Sequence, residues 1–370
     1  MADAPTVGVV ITTYDRGMEY LPVLLRSLAE QTYGDHEITV VADGGDPEVL
    51  AFLEREWPAL EVISTPKPRG FAGVAALGVR SSRGRYVAIL NDDVELEPRW
   101  LELLVDELER DPSLGFVTGK TLLYHERDRI NETKQDLYTC GRFVPCGLLE
   151  RDEGQWDRRL PAAVVSASTA LCRREAVDAA GSFDEDYFLY CEDADLCLRM
   201  VLAGYRGLYV PEARGYHAWA ASIGRASEAS SFYIVRNSLT TLLKDMPTQL
   251  LLVSLPKILL YQWHIFSVAR DDGYGAVVRR AWRSFVRSVP STLRKRRRVM
   301  RSRAISEAEF KSLLLTDYPV PTRLAPQAMS TWLEHRVLGP VKRFAGDLLE
   351  HVPGPIRPRI RDRDRDQRKP

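Results

Sequence analysis

The chain has 370 residues, with 51 lysines and arginines balancing 51 aspartates and glutamates and 45% hydrophobic residues. That length suits one large α/β domain with an appendage, or two modest domains, and the composition is ordinary for a soluble globular protein. Five cysteines, an odd number with no CxxC pair, exclude a disulfide framework and a zinc ribbon and read as reduced thiols of a cytosolic protein.

Met1 to Val7 carries no basic stretch followed by an apolar one, so no secretory signal is expected. Val7 to Ile11 reads as a buried strand, with Thr12-Thr13-Tyr14-Asp15-Arg16 as the loop at its carboxyl end. Leu21, Leu24, Leu25 and Leu28 then form an apolar stripe at helical spacing. Ile38 to Val41 predicts the next strand. It ends in Ala42-Asp43-Gly44-Gly45, a carboxylate followed by residues that let the backbone approach a ligand closely. Helix over Pro47 to Trp57, strand over Leu60 to Ser64, a rigid loop Pro66 to Gly70 and helix over Phe71 to Ser81 follow.

Tyr86 to Leu90 is an uncharged run that reads as a strand buried on both faces, and it ends in Asn91-Asp92-Asp93. Ligand sites of open α/β sheets lie at the carboxyl ends of such strands. Asp92 and Asp93 there suit a hard divalent cation that grips a diphosphate. They equally suit a surface turn opening a helix, with Pro98 in its first turn. Strands alternating with helices over the first ~110 residues argue for a parallel, doubly wound sheet. No GxGxxG follows the first strand, which argues against a dinucleotide-binding dehydrogenase.

Gly115 to Gly119 reads as a strand, and Lys134 to Asp157 as an acceptor-side excursion or a long surface loop. Asn131-Glu132-Thr133 fits a glycosylation acceptor, a match without meaning in a cytosolic chain. Ala163 to Cys172, with Ser166, Ser168 and Thr169, predicts one strand. Arg173-Arg174 opens a helix that Gly181 to Asp184 ends. Asp184 to Asp195 concentrates acids among aromatics ahead of a helix running to Gly204, with Glu192 and Asp193 at or just before its first turn. Helix capping accounts for Asp195, but not obviously for four acids beside Phe188 and Tyr190. Tyr209 to Glu212 reads as a last strand and turn, and His217 follows.

These pieces, in this order, resemble an inverting family-2 glycosyltransferase. They are Ile11 to Arg16, Val40-Val41-Ala42-Asp43-Gly44, Asn91-Asp92-Asp93, Asp184-Glu185 with Phe188-Leu189-Tyr190, Glu192 to Arg199, His217 and Arg236-Asn237. The resemblance runs through about two-thirds of the chain and resembles bacterial rhamnosyltransferase-like members in particular. It implies a GT-A fold: a Rossmann-like α/β domain with a mixed, mainly parallel central sheet over residues 1–245. A helical, basic C-terminal region over 246–350 and a disordered tail over 351–370, where Arg alternates with Asp, are expected to follow.

What the resemblance implies about the site is specific. Thr12, Tyr14, Arg16, Asp43, Arg69, Gly70, Asn91, Asp92 and Arg236 would bind the nucleotide-sugar. Asp43 would accept a hydrogen bond from a uracil or thymine imide, or is a turn aspartate favoured by its glycines. Asp93 and His217 would hold Mg²⁺ or Mn²⁺, with Asn91 replacing the first acid of the Asp-x-Asp motif. Asp193, with Glu192 as its neighbour, would take the proton of the acceptor hydroxyl. A helix N-terminus lowers the pKa of such a base, and burial among aromatics opposes that. Ser168, Thr169, Tyr190 and Asp195 would line the acceptor, and Ser222, Arg225, Arg236 and Asn237 would close over the diphosphate, where a guanidinium suits phosphate oxygens. The donor expected first is dTDP-L-rhamnose and second a UDP-sugar; the acceptor is a hydroxyl of a glycan or polyprenyl-linked intermediate in cell-surface polysaccharide synthesis. The alternative is a non-catalytic nucleotide-sugar-binding scaffold subunit, motivated by Asn91. A nucleotidyltransferase would carry a Gly-rich phosphate loop after its first strand, and Thr12 to Arg16 is not one.

The net charge of zero hides an asymmetry in the tail. Between Gly273 and Ser306 there are eleven Lys and Arg and no acid, which suggests an anionic membrane or nucleic acid. No aromatic-interleaved or zinc motif supports nucleic acid. Thr248 to Ala269 is apolar but holds Pro256, Lys257, Gln262 and His264, and a central lysine disfavours a spanning helix. Helices packed on the domain, or lying at the inner face of the plasma membrane through Tyr261, Trp263 and Phe266, are expected, with a homo-oligomer contact as a further option.

Overall fold

The computed structural model describes residues 5–14, 17–218 and 227–315. Arg16, Ser222, Arg225 and the tail over 351–370 lie outside the described residues. The described residues all fall within one contact unit.

The first half builds a sheet one β/α step at a time. Strand β1 (Val7–Thr13) is wholly buried, and α1 (Gly17–Ala29) covers it with the predicted stripe of Leu21, Leu24, Leu25 and Leu28. Then come β2 (His36–Ala42), α2 (Pro47–Glu56), β3 (Glu61–Ser64), α3 (Gly70–Ser81) and β4 (Tyr86–Asn91). Strands β3, β2, β1 and β4 lie side by side and parallel, which is why β1 and β4 read as unbroken apolar runs rather than alternating ones.

After β4 the chain leaves the parallel pattern. Asp92 and Asp93 do not open a helix: β5 (Val94–Leu96) follows, and α4 (Trp100–Arg110) starts only beyond Pro98. Strand β6 (Leu114–Leu123) is twice the length expected, and β7 (Ile130–Glu132) folds back antiparallel on it. The stretch Lys134 to Asp157 contains β8 (Gln135–Tyr138) and β9 (Phe143–Pro145), an antiparallel pair.

The single strand expected over Ala163 to Cys172 is two: β10 (Leu160–Ala162) and β11 (Thr169–Arg173). Between them Ser166 and Ser168 bond to each other, Oγ to Oγ at 3.0 Å, and the Ser168 amide donates to Ser166 Oγ at 3.3 Å. Such local bonds compete with a ladder. Strand β11 joins the main sheet antiparallel to both β4 and β6.

Helix α5 (Arg174–Ala180) ends at Gly181, whose φ of 82° is the left-handed conformation of a helix stop. Helix α6 (Glu192–Leu202) leads into β12 (Arg206–His217). The turn expected after Tyr209 is instead a bulge at Pro211, across which the register with β6 jumps from Val210 to Arg214. Proline has no amide hydrogen to give the ladder, so the strand kinks there and continues to His217. The sheet order is β10-β12-β6-β11-β4-β1-β2-β3, with β5 on β12 and β7 on β6: mixed, with a parallel half.

Helices α7 (Glu228–Asp245), α8 (Thr248–Asp271) and α9 (Gly275–Arg301) follow, then α10 (Glu307–Ser312) and β13 (Leu314–Leu315). Pro256 and Pro290 interrupt neither long helix. Val278 and Ala281 of α9 cluster with Val235 of α7, and β13 pairs parallel with β8.

Candidate active site

Strand polarity collects the candidate side chains at one edge. Thr12 lies in register with Val41 on one side and Asn91 on the other. Thr12, Thr13, Asp43 and Asn91-Asp92-Asp93 therefore all sit at carboxyl ends of neighbouring parallel strands. Thr13 Oγ1 donates to Asp92 Oδ2 at 2.5 Å, while burial and the adjacent Asp93 lift the Asp92 carboxyl to about 7. Tyr14 stands exposed at the rim.

Asp43 is buried and accepts from the amides of Arg69 (2.8 Å) and Gly70 (2.9 Å) and from Thr65 Oγ1 (2.8 Å). It thereby ties the 65–70 loop, and the start of α3, to the end of β2. Arg69 reaches Glu185 at 2.5 Å. Gly70 has φ 69°, and a Cβ there would stand 2.3 Å from the carbonyl oxygen of Phe188. Gly70 thus permits the close approach of the loop that precedes α6.

The antiparallel pairing of β5 with β12 sets Val94 opposite His217. This brings His217 Nε2 to 3.1 Å from Asp93 Oδ1, and His217 Nδ1 lies 2.9 Å from Asn131 Oδ1. An amide oxygen only accepts, so Asn131 keeps the proton on Nδ1 and turns Nε2 toward Asp93. Burial alone would lower the His217 pKa, but Asp93, then Glu132 and Asp92, outweigh it and raise it.

Asp93 Oδ1 is buried and accepts no well-aligned hydrogen bond, and neither does Asn91 Oδ1. Among the described residues no three His, Cys, Asp or Glu side chains are arranged to hold a metal ion by themselves. One carboxylate and one imidazole around an orphaned oxygen fit a Mg²⁺ or Mn²⁺ whose other positions come from a diphosphate and water. They do not fit an all-protein cage.

The third component stands at the N-terminus of α6. In the loop before it Phe188, Tyr190 and Cys191 take φ of 65°, 65° and 67°, a conformation costly for any side-chain-bearing residue. Asn237 of α7, fully buried, holds this loop: its Nδ2 lies 3.0, 2.8 and 2.7 Å from the carbonyl oxygens of Tyr187, Leu189 and Tyr190. The Asp193 carboxylate accepts from the Ala194 amide at 2.7 Å and from the amide of Ala167. Burial outweighs both donors and raises its carboxyl to about 6. Glu192 is pushed well above the carboxylate range, first by burial and then by Asp193, and its Oε2 has no partner. The two carboxyls lie side by side and influence each other's titration, and burial raises both.

Glu132, at the end of β7, feels both Asp193 and His217; burial and Asp193 lift it to about 7. It joins the two halves of the site. Sequence reading passed over Asn131 and Glu132 because their signal, adjacency to His217, exists only once β7 has folded back.

Three residues expected at the ligand are engaged within the protein. Asp195 is completely buried, and its oxygens accept from Tyr187 Oη (3.0 Å), Arg199 Nη2 (2.5 Å) and Lys244 Nζ. It is an internal counter-ion. Thr169 is buried in β11, with its hydroxyl 2.9 Å from that of Thr121; Ser168, beside it, faces Asn91 through a backbone bond of 3.3 Å. Arg236 directs Nη2 to the carbonyls of Asp186 (2.9 Å) and Tyr187 (2.5 Å) and Nε to Asn237 (2.7 Å). It braces the loop that leads into α6, whose carbonyls lack ladder partners. Lys244 and Lys295 complete the brace at Asp184, at 2.6 and 2.5 Å, and Lys295 also reaches Asp186 at 2.6 Å.

Residues 4–239 match the family described as glycosyltransferase like family 2. An uncharacterized protein of Sinorhizobium fredii is 32% identical over 60% of this chain, and an O-antigen biosynthesis protein of Myxococcus xanthus is 28% identical over 59%. The match spans only 26% and 18% of those two proteins' own lengths. An N-acetylglucosaminyl-diphospho-decaprenol L-rhamnosyltransferase of Mycobacterium tuberculosis is 27% identical over 59% of this chain and 77% of its own length. The crystal structure of GalNAc-T7 with UDP, GalNAc and Mn²⁺ superposes with a TM-score of 0.52 at 14% identity, covering 65% of this chain and 48% of the other. That likeness is one of fold, the GT-A fold.

Proposed function

Because the chain belongs to glycosyltransferase family 2, we propose that it transfers a sugar, with inversion, from a nucleoside diphosphate to a hydroxyl of a glycan or polyprenyl-linked acceptor in cell-surface polysaccharide synthesis. The observation that carries this reading is geometric: Asp93 and His217 stand 3.1 Å apart at the strand ends beside an unpartnered Asp93 oxygen, while Asp193 sits at the start of α6 with its carboxyl raised by burial. A carboxylate raised toward neutral pH suits a general base.

In the reaction Asp193 accepts the proton of the acceptor hydroxyl as its oxygen bonds to the anomeric carbon. The bond from that carbon to the diphosphate oxygen breaks, and the nucleoside diphosphate leaves from the opposite face. Asp93 and His217 would hold the Mg²⁺ or Mn²⁺ that, when bound, neutralises charge on the departing diphosphate. Asn131 keeps His217 in the tautomer such binding needs. Asp43 and the 65–70 loop it anchors would receive the base, Thr12, Tyr14 and Asp92 the ribose and diphosphate, and Ser168 and Tyr190 the acceptor.

The rhamnosyltransferase relative supports dTDP-L-rhamnose as the first donor to test, with a UDP-sugar second. Its lipid-linked acceptor supports work at the cytoplasmic face of the membrane. Thermal-shift titration with dTDP, UDP and GDP, each with and without Mn²⁺, tests the site, because a ligand that binds only the folded state raises the melting temperature. Metal-dependent stabilisation by dTDP or UDP is expected. No response to any of the three would overturn the reading, and stabilisation by nucleotide without turnover of any donor and acceptor would favour the non-catalytic scaffold.

A further inference from the structure

Helix α8 carries apolar side chains on both faces. Its inner face buries Leu250, Ile258 and Tyr261 together with Ser254, Gln262 and Ser267, and Gln262 Oε1 accepts from Trp282 Nε1 of α9 at 2.8 Å. Its outer face presents Leu252, Leu255, Leu259 and Trp263, of which Leu252 is 64%, Leu259 61% and Trp263 57% exposed. Their spacing of three or four residues makes one continuous apolar stripe. Tyr261, expected among the interfacial aromatics, is buried instead. Among the described residues this is the one helix long and apolar enough to cross a membrane, yet its inner face is fixed against the protein.

A basic face adjoins the stripe. The Trp263 ring lies 6.2 Å from that of Phe266, and the Arg279 guanidinium lies 5.7 Å over Phe266. From Arg279 the exposed side of α9 continues through Arg283, Arg287, Arg294 and Arg297. Those last four make no ion pair among the described residues. Val286 stands exposed between the arginines.

We propose that the α8 stripe and the α9 arginines form one surface that docks on an anionic lipid bilayer, α8 lying in the plane of the interface with its leucines and Trp263 among the acyl chains. The inference deepens the membrane-side reading given above and rests on it. Apolar area set beside acid-free basic residues is what an anionic lipid surface complements. A two-fold pairing with a second copy would set like-charged arginine faces together. A nucleic acid would leave the leucine stripe in water. A bilayer crossing would require the inner face of α8 to leave the protein.

The test is co-sedimentation of the full chain with vesicles of phosphatidylcholine alone or with about a third phosphatidylglycerol, without substrate, so the outcome is separate from that of the nucleotide titration. Binding is expected at least about tenfold tighter to the anionic vesicles and weakened at ~0.5 M salt. The pairs Leu259→Glu/Trp263→Glu and Arg283→Glu/Arg287→Glu should each lose at least about tenfold while keeping the wild-type melting temperature. Trp263 emission should shift to the blue on binding. Equal affinity for both vesicle types would overturn the proposal. So would failure to bind either, with a dimer that the first pair dissociates, which would identify a second copy as the occupant. Retention of the chain in membranes after alkaline washing would overturn it in favour of a spanning helix.

Discussion

Asp193 and Glu192 show how one side chain's chemistry is set by what surrounds it. A carboxylate at a helix N-terminus expects a lowered pKa, and the sequence contains that expectation plainly. The burial that reverses it is a tertiary fact. With Asp193 titrating near 6, kcat/KM should rise through about pH 6 and level off above it. Asp193→Asn should lose roughly a hundred- to ten-thousandfold in kcat with nucleotide-induced stabilisation intact; retained turnover would remove Asp193 from the chemistry. Stability should move the opposite way. Folding raises this carboxyl above its unfolded value, so the folded state binds the proton more tightly, and the contribution is full below about pH 4 and lost as pH rises through about 6. Asp193→Asn should therefore melt higher than the wild-type protein at pH 8, by roughly 1–3 kcal/mol of stability, and differ little at pH 4. At the metal half, Asn131→Ala frees the His217 ring and should weaken Mn²⁺-dependent nucleotide stabilisation by about ten- to a hundredfold. Nucleotide binding in the absence of metal should change little.

At the scale of elements, the parallel half of the sheet was legible because its strands are apolar runs closed by turn residues; β2, β3 and β4 end within one residue of the expected place, while β1 runs two residues further, to Thr13. What failed to show were features made by pairing. The break between β10 and β11 depends on two serines bonding to each other, the reach of β12 to His217 depends on a bulge at Pro211, and β7 and β9 are too short to carry a pattern. The loop before α6 belongs to the same class. Nothing in Phe188-Leu189-Tyr190-Cys191 announces three left-handed residues; the conformation is held by Asn237 and by the space Gly70 leaves. Asn237→Ala removes donors to three carbonyls and should destabilise the fold by roughly 2–4 kcal/mol. In the surviving folded fraction it should depress kcat more than nucleotide affinity, since the nucleotide strands are untouched. Gly70→Ala should shift the same loop, and equal loss of nucleotide binding in both variants would show that the loop and the nucleotide site are not separable.

For the molecule as a whole, the boundary expected after residue 245 falls between α7 and α8, and α9 then returns to pack on α7 and delivers Lys295 to Asp184 and Asp186. A chain ended at residue 245 leaves Asp184, Asp195 and Asp245 with Lys244 and Arg199 as their remaining cations. It also bares the α7 surface that buries Val278 and Ala281. Such a chain should aggregate or melt well below the full-length protein, and a truncated form with wild-type melting and turnover would show that the helices are an independent appendage. The family match stops at residue 239, so α8, α9 and α10 lie beyond it.

The Lys295 contact also sets an order of events in synthesis. Lys295 follows Asp184 by 111 positions, so while the nucleotide half is already outside the ribosome, the cation that completes the brace of the loop before α6 is still untranslated. On the reading proposed above, the nucleotide strands would be complete before the loop that leads to Asp193 is fully braced. The helix that completes the brace would also carry the arginines proposed to face lipid.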